Sequence, residues 1–163
     1  MIKKLILSLF IISMGFSQLE VGDTSPDFEA PICNNILDGM DDTWSLYEEG
    51  NGKVIWLDLY TSWWPSCQSE APEIEEIWQQ FVEEGENYIV MLSHGFDWSS
   101  YSCDGWAEEF GTSYPMLDGG NSGGEAWGLF GDGYIPHHVV IDHNREVLYT
   151  AYGSNIDGIM EVI

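Results

Sequence analysis

One stretch of the chain contains a strand-like apolar run followed by apolar residues at helical spacing, and the two patterns predict its central elements. Residues 54–60, Val-Ile-Trp-Leu-Asp-Leu-Tyr, form a nearly continuous apolar run rich in β-branched and aromatic side chains, which is typical of a buried strand. From residue 65 to about residue 84 the apolar residues recur at helical spacing, with glutamates on the opposite face. The apolar set is Ile74, Ile77, Trp78, Phe81 and Val82. The pattern therefore predicts a strand, a tight turn and a helix with Pro65 in its first turn, where proline is tolerated.

The remaining pattern predicts a second buried strand, further helices and a hairpin. Besides a turn-rich segment (34–42), the predicted elements are a short strand (43–46), a strand (88–93), a helix (98–110, ended by Gly111), a short helix (125–130), two antiparallel strands (137–142 and 146–152) and a final helix from about Asn155. Neither an internal repeat nor a linker is visible. We therefore predict an α/β fold with a mixed central β-sheet flanked by helices, in a single domain.

Residues 1–18 have the pattern of an export signal. Two lysines precede a twelve-residue apolar run, and Gly15 and Ser17 occupy the small-residue positions of a cleavage site. The run is too short to span a bilayer as a helix, and no cysteine follows it to carry a lipid. We predict a signal peptide over residues 1–18, a folded domain over residues 19–163, and a periplasmic or extracellular location without a stable membrane anchor. A buried N-terminal strand is the alternative.

The domain without that signal is strongly acidic. It keeps two basic residues against 28 acidic ones, a net charge of −26. Nucleic acids and anionic membrane surfaces would repel it, so we exclude them as partners. A solvated acidic surface adapted to a salty medium explains this charge most simply. A divalent-cation site at Asp38, Asp41 and Asp42 is the alternative, although their spacing matches no calcium loop.

Residues 60–72, Tyr-Thr-Ser-Trp-Trp-Pro-Ser-Cys-Gln-Ser-Glu-Ala-Pro, resemble the active-site segment of the thioredoxin superfamily. The segment is most similar to that of the TlpA-type thiol-disulfide reductases and their AhpC/TSA (redoxin) relatives, which reads aromatic-Ala-Thr-Trp-Cys-Pro-x-Cys-x-x-Glu-x-Pro. Trp64 stands where these families carry their nucleophilic first cysteine, and Cys67 stands where they carry the second, more buried thiol. The resemblance implies a thioredoxin-like fold that acts on protein thiols and disulfides, or on an extended peptide, without a cofactor or a metal.

Two further segments extend the resemblance to most of the chain. Residues 21–31 resemble the entry segment of the redoxin families. Residues 134–142 resemble a hydrophobic-Pro-Thr-Thr-x-x-Ile-Asp run whose proline has a cis peptide bond beside the active site. The resemblance thus implies a cis bond at Pro136, with a trans proline opening an edge strand as the alternative.

Topology predicts which residues meet. Parallel strands end at one edge of a sheet, where α/β ligand sites form, and the strand after Pro136 begins at that edge. We therefore expect one group of residues to converge there: Trp63, Trp64, Cys67, the predicted loop 94–100, Cys103 and residues 135–137.

The chemistry available to Cys67 is restricted. Dithiol exchange needs an exposed thiolate and a second thiol three residues on, and Trp64 removes the first of these. The resemblance places two acidic residues, Asp58 and Glu70, near Cys67, where each would raise the thiol pKa. We take Cys67, Asp58, Glu70 and Pro136 as candidate catalytic residues. Three interpretations of Cys67 stay open: an inert buried thiol, a working single thiol resolved by Cys33 or Cys103, or a metal ligand with His94, His137 or His138.

The cysteine count also leaves the disulfide pairing open. Three cysteines in an exported protein leave one unpaired in a monomer. A structural Cys33–Cys103 bridge would leave Cys67 free, whereas a Cys67–Cys103 bridge would create a new redox pair. The sequence does not choose between them.

Aromatic residues complete the candidate site. Trp63 and Trp64, with Tyr60 and Trp98, would form a platform for an extended peptide or another flat ligand, unless Trp64 folds back into the space of the missing cysteine. Ile135 is a further candidate substrate-binding residue. Other tryptophans, such as Trp56 and Trp78, have core positions. Two hypotheses follow: an exported family member whose redox chemistry rests on Cys67, and a non-catalytic binding module that uses the groove around Trp63, Trp64 and Pro136.

Overall fold

The computed structural model describes residues 18–85 and 88–163. The predicted signal peptide lies outside these residues, apart from Gln18. In chain order the elements are β1 (Glu29–Asn34), β2 (Thr43–Ser45), β3 (Val54–Thr61), α1 (Pro65–Glu84), β4 (Ile89–Phe96), α2 (Cys103–Phe110), β5 (Met116–Asp118), α3 (Gly124–Phe130), β6 (His137–Ile141), β7 (Val147–Tyr152) and α4 (Ile156–Met160). Within the described chain, no helix is both long and apolar enough to cross a membrane.

The strands of the described residues form one mixed sheet, in the order β2-β1-β5-β4-β3-β6-β7. Strands β3, β4 and β5 run parallel, while β1, β2, β6 and β7 pair antiparallel with their neighbours. The predicted α/β class, with a mixed sheet flanked by helices, is confirmed.

Strand β3 is central, and its alternating side chains separate two apolar layers. Ile55 and Leu57 face a layer that includes Phe130 of α3, whereas Trp56 faces a layer that includes Trp78 of α1. Because successive strand residues point to opposite faces, Asp58 shares the face of Trp56. The one carboxylate of this strand therefore lies beneath α1.

Helix α1 has the predicted bounds and buries three of the five residues of the predicted stripe, with Ile77 partly buried. Ile74, Trp78 and Phe81 are buried, and each fully buried side chain of this size stabilises the fold by roughly 1.5–3 kcal/mol. Val82 is 51% exposed, so its assignment to the buried face was wrong. The helix ends at Gly85, whose φ of 73° suits glycine and whose N–H is bonded to the carbonyls of Phe81 and Val82.

Several predicted boundaries need correction. Helix α2 begins at Cys103 and not at residue 98, because the Ser102 side chain accepts a hydrogen bond from the Gly105 N–H and caps the helix there. Strand β4 continues to Phe96, so His94 lies in a strand and not in a loop. Strands β1 and β5 were not predicted, since β1 contains a proline and β5 has only three residues.

A disulfide joins Cys33 of β1 to Cys103, the first residue of α2. Among the described residues, Cys67 is the one free cysteine, and it is buried. Of the two pairings that the sequence allowed, the structure has the one that leaves Cys67 free. Neither Cys33 nor Cys103 is therefore available in this state to resolve a bond formed by Cys67.

We expect reduction of this disulfide to lower the free energy of unfolding by about 2–4 kcal/mol, because a bridge restricts the unfolded chain, here across a sequence separation of 70 residues. Urea unfolding of the wild type, with and without a phosphine reductant, measures the change. The Cys67→Ser variant should show the same reductant-dependent shift. Loss of the shift in that variant would show that Cys67 takes part in the bridge.

Candidate functional site

The first turns of α1 bring together three of the predicted site residues. Trp64 is the N-cap residue, with extended backbone (φ −84°, ψ 122°), and Pro65 begins the helix. Cys67 and Glu70 follow on the same face, because residues three apart in a helix are neighbours. Both are buried, each with 3% of its surface exposed. The thiol and the carboxylate therefore share the interface between α1 and the sheet.

Directly below, a histidine links the two candidate carboxylates. Asp58 of β3 lies opposite His138 of β6 in the antiparallel register. His138 Nε2 lies 2.9 Å from Glu70 Oε1, and His138 Nδ1 lies 3.8 Å from Asp58 Oδ1. The indole N–H of Trp56 donates to His138 Nδ1 at 3.2 Å. Asp58, Glu70 and His138 thus form one buried cluster, which we call the acid-histidine cluster.

Sequence reasoning considered His138 only as a metal ligand and missed this role. Adjacent strand residues point to opposite faces of a sheet, and His137 accordingly contacts Thr150 and Asp132, away from the cluster. The signal that identifies His138 is its position two residues after Pro136, combined with the β3–β6 register. That register is a long-range property which no local pattern supplies.

The electrostatics of the site favour a protonated thiol. Burial raises the pKa of Asp58 to about 7; the charge of His138 opposes this shift and that of Glu70 adds to it. Burial also raises the pKa of Cys67 far above its ordinary value, and the charges of Asp58 and Glu70 raise it further. Burial alone lowers the pKa of His138, but the hydrogen bond with Glu70 and the nearby charges outweigh it and leave the pKa raised. At neutral pH Cys67 is therefore a thiol and not a thiolate.

An aromatic groove lies beside this site. The Ile135–Pro136 peptide bond is cis, as predicted, and Ile135 packs against the apolar cluster that contains Cys67. Ile135 also lines, with Trp63 and Trp64, an open groove of about 370 Å³. Both tryptophans are 41% exposed, so Trp64 does not fill a buried space. The groove is therefore an exposed aromatic surface next to the buried thiol.

The membership of the aromatic platform needs correction. Tyr60 is buried beneath Trp98 and Trp106, because strand alternation places it on the α1 face, and it cannot line an exposed platform. The indole N–H of Trp98 donates a hydrogen bond to Asp118 Oδ1, which holds the ring in place. Three further aromatic residues line the groove: Phe96, from the segment 94–100 that was expected at this edge, and Trp127 and Tyr134, which were not predicted there. They come from three separate segments, so only the tertiary structure brings them together. The predicted core positions of Trp56 and Trp78 are confirmed.

Trp63 of the groove is held in place by Asp97, a residue with left-handed backbone geometry. The indole N–H of Trp63 donates to Asp97 Oδ2 at 2.7 Å, and Asp97 has a positive φ of 53°. Ser62 reinforces this link, because its hydroxyl donates to the Asp97 carbonyl. The segment after β4 therefore fixes the orientation of Trp63.

Of the predicted metal-ligand partners of Cys67, only His138 lies on the same side of the sheet, and there it is bonded to Glu70. His94 lies on the sheet face of Leu57 and Leu59, opposite Cys67, and its Nε2 bonds the Gly123 carbonyl at 2.8 Å. Asp41 and Asp42 line an acidic depression with other carboxylates. Within residues 18–85 and 88–163, no group of three or more His, Cys, Asp or Glu side chains is placed to hold a metal ion.

Comparisons with known proteins agree with the geometry. The AhpC/TSA family model matches residues 21–150. The thiol-disulfide oxidoreductase ResA of Oceanobacillus iheyensis is 24% identical over 134 residues, covering 82% of this chain and 66% of that relative, just under two thirds of its length.

Solved structures give the fold. A Chlorobium tepidum structure assigned to the DsbE thiol:disulfide interchange proteins has a TM-score of 0.69 at 20% identity, covering 88% of this chain and 94% of that one. StoA from Bacillus subtilis has a TM-score of 0.64 at 16% identity, covering 83% and 95%. The thioredoxin-like fold is thereby confirmed, and with the family model matching most of its length, the chain belongs to the AhpC/TSA family, among relatives of the thiol-disulfide oxidoreductases.

Proposed function

We propose that this chain is an exported thiol-disulfide exchange protein that works through one thiol, Cys67, on protein disulfides bound in the aromatic groove. The observation that carries the proposal is the placement of Cys67. It is the free cysteine of the described chain, it lies in the first turn of α1, and it is flanked by the acid-histidine cluster. Trp64 occupies the position of the family's first cysteine, so the motif has one thiol instead of two. The proposed reaction therefore uses a single cysteine. Export rests on the pattern of residues 1–18.

The proposed reaction is a redox-neutral exchange. Cys67 passes its proton to the carboxylate of Asp58, and the thiolate attacks one sulfur of the substrate disulfide. A bond forms between Cys67 and that sulfur while the substrate disulfide breaks, and the departing thiolate takes the proton from Asp58. A thiol of the substrate then attacks the mixed disulfide and returns Cys67 to its reduced form. The substrate leaves with rearranged disulfides and no net oxidation.

Burial controls when this thiol reacts. Only the thiolate is an effective nucleophile, and the pKa of Cys67 is raised far above neutral by burial, Asp58 and Glu70. The free protein therefore presents an unreactive thiol to small oxidants. Substrate bound in the groove contacts Ile135, which packs against the Cys67 cluster. We expect exchange to require this contact.

The groove suits an extended chain with apolar side chains. Its wall combines Trp63, Trp64 and Tyr134, whose large rings offer apolar contact area to a bound chain. The neighbouring Asp97 adds negative charge at one side. Residues around a cysteine in a flexible or unfolded segment of a client protein fit this surface.

A peptide carrying an activated disulfide with thionitrobenzoate tests the proposal. We expect wild-type protein to release about one equivalent of the coloured thiol and to gain a peptide adduct that mass spectrometry maps to Cys67, because only one free thiol is present. Cys67→Ser should form no adduct. Trp63→Ala should slow the adduct with the peptide, whereas a small disulfide that does not use the groove should react slowly with the variant and the wild type alike. A wild-type protein without an adduct, or an adduct at Cys33 or Cys103, would overturn the proposal.

Binding without turnover is a second candidate function. The exposure of Trp63 and Trp64 beside a buried, protonated thiol favours it, since the groove is accessible and the nucleophile is not. This function predicts that Cys67→Ser binds the peptide with unchanged affinity and that the wild type never forms the adduct. The similarity to thiol-disulfide oxidoreductases supports the exchange function over this one.

A further inference from the structure

The acid-histidine cluster places two carboxylates and a thiol in one buried site, and such a site needs a counter-charge. Two carboxylates close together and shielded from water do not both ionise unless a cation balances them. Between residues 19 and 163 the sequence has only two permanently cationic residues, Lys53 and Arg145. Arg145 lies over the ring of Tyr47, and Lys53 precedes β3, five residues from Asp58, a rise of roughly 16 Å along an extended strand. Neither residue can neutralise the negative charge of the two carboxylates in the cluster.

The hydrogen bonds of His138 define two protonation states. In the state observed, Trp56 donates to Nδ1, so that nitrogen carries no proton and Nε2 donates to Glu70. When His138 is protonated, Nδ1 also becomes a donor and needs an acceptor. Asp58 Oδ1 lies 3.8 Å away and has no hydrogen-bond partner among the described residues. Protonation therefore exchanges Trp56 for Asp58 as the partner of Nδ1.

We propose that His138 is a positioning residue for the exchange reaction: protonated between Asp58 and Glu70, it keeps Asp58 ionised and ready to accept the proton of Cys67. The inference rests on the proposed function, because it assigns the control of the proton acceptor in that reaction. Without the imidazolium, Asp58 beside Glu70 would hold its own proton at neutral pH. Cys67 would then lack an acceptor.

Among the described residues, no other titratable group that faces His138 can take this part. Asp58 and Glu70 are anions when charged. Tyr60 and Tyr114 near the carboxylates are neutral, since burial raises the pKa of each well above its ordinary value. From β7 the residue opposite His138 is Ala151, which does not titrate. His137 lies on the other face of the sheet, and burial lowers its pKa.

The test is the pH profile of Cys67 adduct formation in His138→Gln. The glutamine amide can still donate to Glu70 but carries no charge. For wild type we expect the rate to rise with pH around the Asp58 pKa of about 7. Since the charge of His138 lowers that pKa, the variant's midpoint should move up by at least about one pH unit, which makes the variant at least about fivefold slower at pH 7. The rate should recover at higher pH.

Controls separate this role from a structural one. His137→Gln replaces a buried histidine on the opposite face, and it should leave the midpoint in place. A His138→Gln profile that is lowered equally at every pH, with its midpoint unmoved, would overturn the inference.

A second measurement needs neither turnover nor a stable His138 variant. Nitrogen NMR of the wild-type ring should show the proton on Nε2 at high pH and a pKa that falls in Asp58→Asn, because the stabilising carboxylate is gone. A His138 pKa that does not respond to Asp58→Asn would overturn the inference. Absence of the Cys67 adduct in wild type would instead refute the proposed function, and the NMR titration would still report whether His138 and Asp58 are coupled.

Discussion

Replacing Trp64 with cysteine is expected to give this chain a dithiol reductase activity that the wild type lacks. The side chain at position 64 sits at the N-cap of α1, with an exposed environment and Cys67 one turn further on. A thiol there would gain thiolate character from the helix N-terminus. Cys67 would then be the second, buried thiol of a complete motif. Insulin reduction should rise at least about tenfold over wild type, because a thiol at the helix N-terminus with a pKa near 7 is about half ionised at pH 7, whereas Cys67 stays protonated.

Two variants sharpen this prediction. Trp64→Ser removes the indole without supplying a thiol and should give no gain. Trp64→Cys combined with Cys67→Ser should form a mixed disulfide but should not turn over, because no second thiol resolves it. If Trp64→Cys itself shows no gain, the site differs from a working reductase by more than one residue.

Glu70→Ala is expected to lower the free energy of unfolding by about 3–5 kcal/mol, the cost of removing one partner from a buried ion pair. Glu70 is the residue that holds His138 Nε2 at 2.9 Å, and its removal leaves a buried polar ring without that partner. For a domain of this size, such a loss lowers the melting temperature by roughly 6–20 °C. Thermal and urea unfolding at pH 7 measure both quantities.

Glu73→Ala is the matched control for this prediction. Glu73 lies in the same helix, three residues later, and is exposed. Its replacement should change stability by less than about 0.5 kcal/mol. Equal stability of the two variants would show that Glu70 is not bound to His138 in solution.

The local elements of the site could be predicted because they follow from short-range patterns. The strand over residues 54–60 and the helix from Pro65 are specified by period and by the position of proline. The cis bond at Pro136 came from the resemblance of its segment, and the hairpin from two β-rich runs around a turn. Each of these features depends on neighbouring residues, which a sequence displays directly.

The features that were not predicted correctly depend on contacts between residues far apart in the sequence. The pairing of Asp58 with His138 depends on the register between two strands that lie 80 residues apart in sequence. Tyr60 is buried because α2 brings Trp106 onto it, and its own segment carries no sign of that. The choice of Cys33–Cys103 over Cys67–Cys103 follows from the position of β1, a strand that the pattern did not predict. Strand β5 was missed because three residues are too few to show a period.

Mapping the three cysteines in the folded protein tests the central claim most directly. The protein is quenched in acid and alkylated before and after unfolding, and a second sample is first mixed with the disulfide peptide. We predict a Cys33–Cys103 bridge, a reduced Cys67 that alkylates slowly until the protein unfolds, and a peptide adduct on Cys67 in the second sample. A disulfide between Cys67 and either Cys33 or Cys103 would contradict the account, because the chain would then carry a replacement redox pair and not a single working thiol.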